Sequence, residues 1–467
     1  MTHPGDVIPD SRKHNARAWL LGLLTAGVAG LLGCRPPVES TPEAAPWSLA
    51  QSDSAEDGAG LDRWPGWRGR NGSGVAPGGS PATSFGATEG FRWKVEVPGE
   101  GNSSPVVWDE WVLLTTALDK SDPPTLAILG FDRSDGRLLW QTEVGRARGR
   151  THAKNGYASA TVATDGERVF AFFGTAGLYC CDFSGEVLWR AELGDLGHMY
   201  GTAASPILYG DSVIQLCDSE EYSYLAAFDK GSGEAIWRTA RPSNACWSTP
   251  VLVEADAGSG PRTELVVNGT GSRSRDGRLV IAYDPADGRE LWRVRGTAEL
   301  VAPTPLVSGG LVYSLSGRNG PILAIRPGGT GDVTTSRVVW KQRRGGPYIP
   351  TGVVYRNRLF LVRDNREVAC YNAGSGRPVW TERLRGTFTA SLVAADGRVY
   401  AASEQGIVYV FAAADTFQLL AQNDLDERCL ATPAIAGGEL VIRTKKHLYC
   451  IPERDAAGPQ RLADGRE

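Results

Sequence analysis

Apolar runs of four to seven residues, rich in Val, Leu, Tyr and Phe, recur from residue 91 to residue 453 and are separated by clusters of Gly, Asp and Ser. They come in neighbouring pairs, such as SPVVW with WVLLTTA, ATVAT with RVFAFFG, SPILY with SVIQLC, and TPLVS with LVYSLS. None of this region keeps a helical period over two turns, so the pattern predicts short strands joined by tight turns. After most pairs stands a third element: GFDRSDGRLLW ending at Trp140, CCDFSGEVLW at Trp189, AAFDKGSGEAIW at Trp237, AYDPADGRELW at Trp292 and CYNAGSGRPVW at Trp380. In the full form an acidic or amide residue is followed four positions later by Gly and four later again by Trp. Asp132, Asp229, Asp284 and Asn372 cap the turn through their side chains, while Gly136, Gly233, Gly288 and Gly376 supply positive φ, which predicts a hairpin with the Trp on its outgoing strand.

Seven tryptophans, Trp93, Trp140, Trp189, Trp237, Trp292, Trp340 and Trp380, are thereby spaced 40 to 55 residues apart. Four strands in a repeat of this length are a propeller blade. Blades are expected to start near Pro105, Ala160, Pro206, Pro250, Pro305, Gly352, Ser391 and Pro433. The seventh has Leu420 where its Trp belongs. The eighth lacks a fourth strand, and RWKVEV around Trp93 has no hairpin partner of its own, so the two are predicted to pair and close the ring, which removes exposed sheet edges. The expected fold is all-β: an eight-bladed propeller of four-stranded antiparallel blades closed by an N-terminal strand, with seven blades as the alternative.

The AxDxxxGxxxW pattern resembles the repeat of pyrroloquinoline-quinone-type (PQQ-like) propellers, and residues 91–453 look like the outer-membrane protein assembly factor B family. That resemblance assigns Trp93, Trp140, Trp189, Trp237, Trp292, Trp340 and Trp380 to packing between blades. It speaks to fold far more than to function.

Residues preceding the repeats bear on location. Arg12, Lys13 and Arg17 precede the apolar core 18–32, and Leu31, Leu32, Gly33 and Cys34 follow, which resembles a bacterial lipoprotein signal with its lipid-bearing cysteine. An ordinary secretory signal is the alternative. The expected organisation is a signal peptide over 1–33, a disordered tether over 34–63, a lead-in segment over 64–90 with Trp64 and Trp67 docked on the propeller, the propeller over 91–453 and a polar tail over 454–467. Arg35 after the cysteine favours, by resemblance, the outer membrane facing the periplasm.

Composition is that of an exported globular protein, 42% hydrophobic and 22% charged, with net charge −4. That charge argues against a general nucleic-acid binder. Of the eight cysteines, Cys34 is the expected lipid carrier and most others fall inside apolar strands, so no disulfide framework is expected. The adjacent Cys180 and Cys181 resemble the vicinal disulfide of quinoprotein alcohol dehydrogenases. They lie in the third strand of their blade, though, where neighbours point to opposite faces. Two strand cysteines are the preferred reading, and no cofactor is expected. Zinc spacings, phosphate loops and nucleophile elbows are missing from the sequence.

Function is therefore expected on the surface. Links between blades converge at the mouth of the central channel and read GRARGRTHAKNGY, GDLGHMYG, ARPSNACW, RRGGPYI and RLRGTF, a basic and aromatic rim on an acidic protein. The candidate rim comprises Arg146, Arg148, Arg150, His152, Asn155, Tyr157, Tyr200, Trp247, Arg343, Arg344, Tyr348 and Arg385, with Arg241, Arg295 and Arg428 adding charge. Arg and aromatic residues are enriched in binding hot spots. His152, Asn155 and Tyr157 are read either as ligand contacts or as groups that satisfy a long loop. The leading expectation is a lipid-anchored, non-enzymatic scaffold for an envelope protein partner. Alternatives are a quinone- and calcium-dependent periplasmic dehydrogenase, or a binder of a small anionic or carbohydrate ligand in the channel.

Overall fold

The structure is a computed structural model that describes residues 61–119, 121–256, 258, 260–270 and 278–453. The signal segment, Cys34, most of the tether and the polar tail lie outside the described residues. Eight sheets are present, each a blade. Their first strands, blades 1 to 8, are Val106–Trp108, Ala163–Thr164, Ile207–Tyr209, Val251–Asp256, Leu306–Ser308, Val353–Tyr355, Val393–Ala395 and Ala434–Ala436. Each blade runs on antiparallel through its second, third and fourth strands; in blade 1 these are Trp111–Ala117, Thr125–Asp132 and Leu138–Arg146.

Blade 8 takes its fourth strand from the other end of the chain. Trp93–Glu96 pairs antiparallel with His447–Ile451, with Trp93 opposite Cys450 and Glu96 opposite His447. The count is eight, and the seven-blade alternative is set aside.

Burial explains the run composition. The second and third strands of blade 1 are buried at nearly every position, whereas its fourth strand is half-exposed or exposed throughout. Middle strands are covered on both faces by the adjacent blades, so they read as continuous apolar runs rather than as alternation. The core accordingly divides into clusters that each join two or three neighbouring blades, such as Val353, Phe360, Cys370, Leu392, Val399 and Phe411 across blades 6 and 7.

Six of the seven tryptophans share one arrangement. Each indole donates its Nε1–H to a carbonyl in the hairpin of the next blade: Trp93 to Arg133 at 2.8 Å, Trp140 to Phe183 at 2.8 Å, Trp189 to Lys230 at 2.9 Å, Trp237 to Pro285 at 3.1 Å, Trp340 to Ala373 at 2.8 Å and Trp380 to Ala414 at 2.9 Å. Trp93 makes this contact from the closing strand to blade 1, so the seam is built like five of the other junctions. Trp292 departs from the pattern. It is fully buried and donates to Glu264 Oε2 at 2.6 Å within its own blade. The hairpin it would grip is replaced by residues 326–337, which add a fifth, parallel strand, Gly331–Asp332, to blade 4 and a one-turn helix, Thr334–Arg337. Sequence reading did not anticipate that strand.

Blade 7 corrects the expectation by one residue: Ala421, opposite Val410, stands where the other blades carry their Trp, while Leu420 falls in the bulge and is exposed. Blade 8 has no hairpin between its third and fourth strands, because these two strands, His447–Ile451 and Trp93–Glu96, come from opposite ends of the propeller sequence. An indole on blade 7 would therefore have no turn to grip. The lead-in packs further along the same strand: Asn423 Oδ1 accepts from the Phe85 amide at 3.0 Å, and Asn423 Nδ2 donates to the Thr83 carbonyl at 3.0 Å. The lead-in also begins earlier than expected, since Arg63, assigned above to the tether, pairs with Asp109 at 2.7 Å.

Candidate functional site

Residues 64–76 enter the central channel from the side of the strand 1–2 turns and close it. Trp64 is 1% exposed and exchanges backbone hydrogen bonds with Val107, while the Thr164 amide donates to Pro65 and the Ala76 amide to Ala394. Arg68 anchors the plug. Its Nη1 donates to the Leu392 carbonyl at 2.7 Å, and its Nη2 donates to those of Gly352 at 2.6 Å and Ser73 at 3.1 Å, so one guanidinium joins the lead-in to blades 6 and 7. Burial lowers its pKa to about 9, which still leaves it charged at neutral pH. Gly74, at φ +74°, has to be glycine for a second reason: a Cβ there would overlap the guanidinium.

A ring of hydroxyls encircles the channel above the plug. Two residues before each first strand stands Ser or Thr: Ser104, Thr161, Ser205, Thr249, Thr304, Thr351, Ser391 and Thr432. Each hydroxyl oxygen accepts the backbone N–H of its counterpart in the preceding blade at 2.9–3.1 Å, in seven of the eight junctions. At the remaining junction the Thr304 hydroxyl instead accepts from Trp67 Nε1 at 3.1 Å, so the plug docks where the ring is open. The sequence carried this signal in its recurring SP and TP dipeptides, which sequence reading used only to mark blade starts.

Between the ring and the solvent lies a cavity of about 410 Å³ with Trp67 in its lining. Five predicted rim residues line it: His152, Asn155, Tyr200, Trp247 and Tyr348. Three of them form a connected run of rings, with His152 edge-on to Tyr200 at 5.6 Å and Tyr200 tilted against Trp247 at 6.0 Å. Trp247 is held by donating Nε1–H to Gly201 at 2.8 Å and by the buried ring of His198 at 4.7 Å. Asn155 donates to the Tyr200 carbonyl at 2.8 Å, and Arg318, which sequence reading did not single out, stacks 4.7 Å from the Tyr348 ring. Lys154, also in the lining, reaches Glu404 of blade 7 at 2.7 Å.

The remaining candidates stand outside this cavity. Arg148, Arg150, Arg343, Arg344 and Arg385 are exposed, and none has an ion pair among the described residues. Arg146 is tied to Ser121 at 2.6 Å, Pro123 and Asp119, and Arg295 pairs with Asp332 at 2.9 Å. Tyr157 donates to the Gly149 carbonyl at 3.2 Å, within its own loop. Arg241 is a correction: it is buried, pairs with the equally buried Asp218 at 2.9 Å and bonds the Tyr283 hydroxyl, so it belongs to the junction of blades 3 and 4. Beside the arginines on this face, Met199 and Tyr222 are 60% and 72% exposed, and their two loops are joined by the Glu220 amide donating to Gly197.

All seven described cysteines are free and buried. Cys180 packs toward blade 3 and Cys181 toward blade 1, on opposite faces of one strand, and neither lines the channel. Burial raises both thiol pKa values, that of Cys180 to about 12, so they stay protonated. The adjacent-cysteine disulfide that the resemblance to quinoprotein alcohol dehydrogenases suggested is thus not formed, and both thiols belong to the packing between blades.

A profile of the family described as outer membrane protein assembly factor BamB matches residues 82–213, 127–245, 221–350 and 319–455, most of the chain in overlapping repeats. The chain belongs to this family. BamB of Yersinia pestis is 22% identical over 333 residues, covering 68% of this chain and 77% of its own length. Among solved structures, BamB from Moraxella catarrhalis superposes with a TM-score of 0.53 at 15% identity, covering 72% of this chain and 97% of its own. Quinohemoprotein alcohol dehydrogenase from Comamonas testosteroni reaches 0.64 at 12% identity, covering 86% and 82%. At these identities the structural likenesses establish the propeller alone.

Proposed function

We propose that this BamB-family chain is a lipid-anchored, non-enzymatic scaffold of the bacterial cell envelope, held at the outer membrane through Cys34, and that its channel-mouth face docks an envelope protein involved in outer-membrane assembly. The observation that carries this reading is the set Arg148, Arg150, Arg343, Arg344 and Arg385, exposed and without acidic partners among the described residues, on a protein of net charge −4. Guanidinium groups left unpaired on an acidic protein favour an acidic partner by steering and by bidentate pairing. Met199 and Tyr222 add apolar contact area on the same face.

The name of the Yersinia relative points to the same class of partner. The test is affinity copurification from crosslinked native envelopes, comparing the natural chain with an Arg148→Glu, Arg150→Glu, Arg343→Glu, Arg344→Glu variant. Loss of a protein partner with the thermal transition unchanged supports the proposal. Equal recovery by both chains refutes it. A parallel Cys34→Ala chain should leave the membrane fraction.

A further inference from the structure

We infer that the capped cavity at the channel mouth is a binding site for a neutral sugar of about two rings, a function separate from docking of a protein partner. Its shape is the first reason. The plug of residues 64–76 turns an open channel into a blind cup of about 410 Å³, at the small end of ligand pockets, which run roughly 300–1,000 Å³.

The chemistry of the wall is the second reason. Trp67, Trp247 and Tyr348 supply aromatic surface on which the C–H face of a pyranose packs. Around them stand neutral hydrogen-bonding groups. Asn102 and Asn155 donate their amide N–H groups to protein carbonyls, and their carboxamide oxygens remain as acceptors. Ser159 and Thr389 spend their protons on the Asn155 carbonyl and Glu404 and present acceptor oxygens, while ring hydroxyls such as Thr351 and Thr432 accept from backbone amides and keep their protons for the space they line. A hydroxyl both donates and accepts, which matches the hydroxyls of a sugar.

Charge decides between ligand classes. Lys154 is neutralised by Glu404 at 2.7 Å, and Glu404 also accepts from Thr389 at 2.8 Å. Arg318 stacks on the Tyr348 ring and gives one N–H to its neutral hydroxyl, and it has no ion pair among the described residues, so the wall carries a single uncompensated guanidinium. Arg68, below the floor, spends its N–H groups on carbonyl oxygens. The other unpaired arginines, Arg148, Arg150, Arg343, Arg344 and Arg385, are outside on the exposed rim, so a cluster of cations able to hold an anion is not gathered in the cup. A purely apolar ligand would leave the hydroxyls and amides without partners, at a cost for each.

Isothermal titration calorimetry of the full chain tests this, with maltose, cellobiose and N,N′-diacetylchitobiose as neutral probes and phosphate and citrate as anionic ones. Saturable binding of at least one disaccharide is expected, weakened about ten-fold or more by Trp247→Ala. Because Trp247 also supports the Gly201 loop, Tyr348→Ala serves as a second variant, with circular dichroism confirming the fold of both. Three results overturn the inference: no binding of any disaccharide, binding of phosphate or citrate in preference, or disaccharide binding undiminished in both variants. Partner copurification is scored separately, and Tyr348→Ala should leave it intact, so failure of one reading is distinguishable from failure of the other.

Discussion

The indole of Trp140 lies so close over Gly185 of the next blade that a Cβ there would stand 2.9 Å from the ring and 2.7 Å from Thr142 Oγ1. The same turn receives the indole N–H through Phe183 O and the Thr142 hydroxyl through Gly185 O. Glycine is thus required twice, for its φ of +88° and for the neighbour above it. Gly185→Ala should cost about 2 to 4 kcal/mol, combining backbone strain with overpacking. Shrinking the neighbour should return part of that cost. In a double-mutant cycle read by chemical denaturation, Gly185→Ala in a Trp140→Ala background should be milder than in the natural chain; additive effects would contradict the contact.

Removing the plug's anchor should loosen the lead-in without opening the ring. Arg68→Met leaves the buried carbonyls of Gly352 and Leu392 without their donor, at about 1 to 3 kcal/mol for each. Hydrogen exchange should speed up at the Ala76 and Ala394 amides, which bond across this junction, while amides at the Trp93–Glu96 seam stay protected.

Much of this architecture was legible because each blade repeats the same physical problem. The apolar runs showed the short strands, the Asp-to-Gly spacing showed the turn, and the unpaired strand at Trp93 showed the closure. Less legible was anything that breaks the repeat or depends on the far side of the ring. Trp292 carries the motif, yet the turn it should grip is an insertion read from a different blade, so its partner became Glu264. Arg241 looked like a rim arginine because its link has the right position, but only the fold brings Asp218 to it. The five-residue cavity wall assembles from four separate links, and the hydroxyl ring needed eight blades in place before its Ser and Thr could be seen to touch.

The Asp218–Arg241 pair yields a stability prediction. Both side chains are fully buried, and Asp218 keeps Arg241 charged despite its burial. Arg241→Met strands a carboxylate in the interior and should destabilise by about 3 to 5 kcal/mol, whereas Arg241→Met with Asp218→Leu should recover most of the loss. Thermal denaturation of the two variants checks the order.

Acid should act through His198. Burial pushes its pKa down to about 4, so the folded state holds the ring neutral while the unfolded chain binds a proton near pH 6.5. The depressed value means that this contribution is complete above about pH 6.5 and is lost as pH falls toward 4, up to about 3 kcal/mol. His198→Phe should flatten the dependence of the melting temperature over that window. An unchanged slope would show that the ring is already protonated or solvated in the fold.

The docking claim meets its most direct test in photocrosslinking from single positions in the native envelope. A photoreactive residue at Met199 or Tyr222, on the channel-mouth face, should yield one and the same protein adduct. The identical probe at Asn357, an exposed turn on the plugged face, should yield none. Adducts from Asn357 with none from Met199 and Tyr222 would contradict the account.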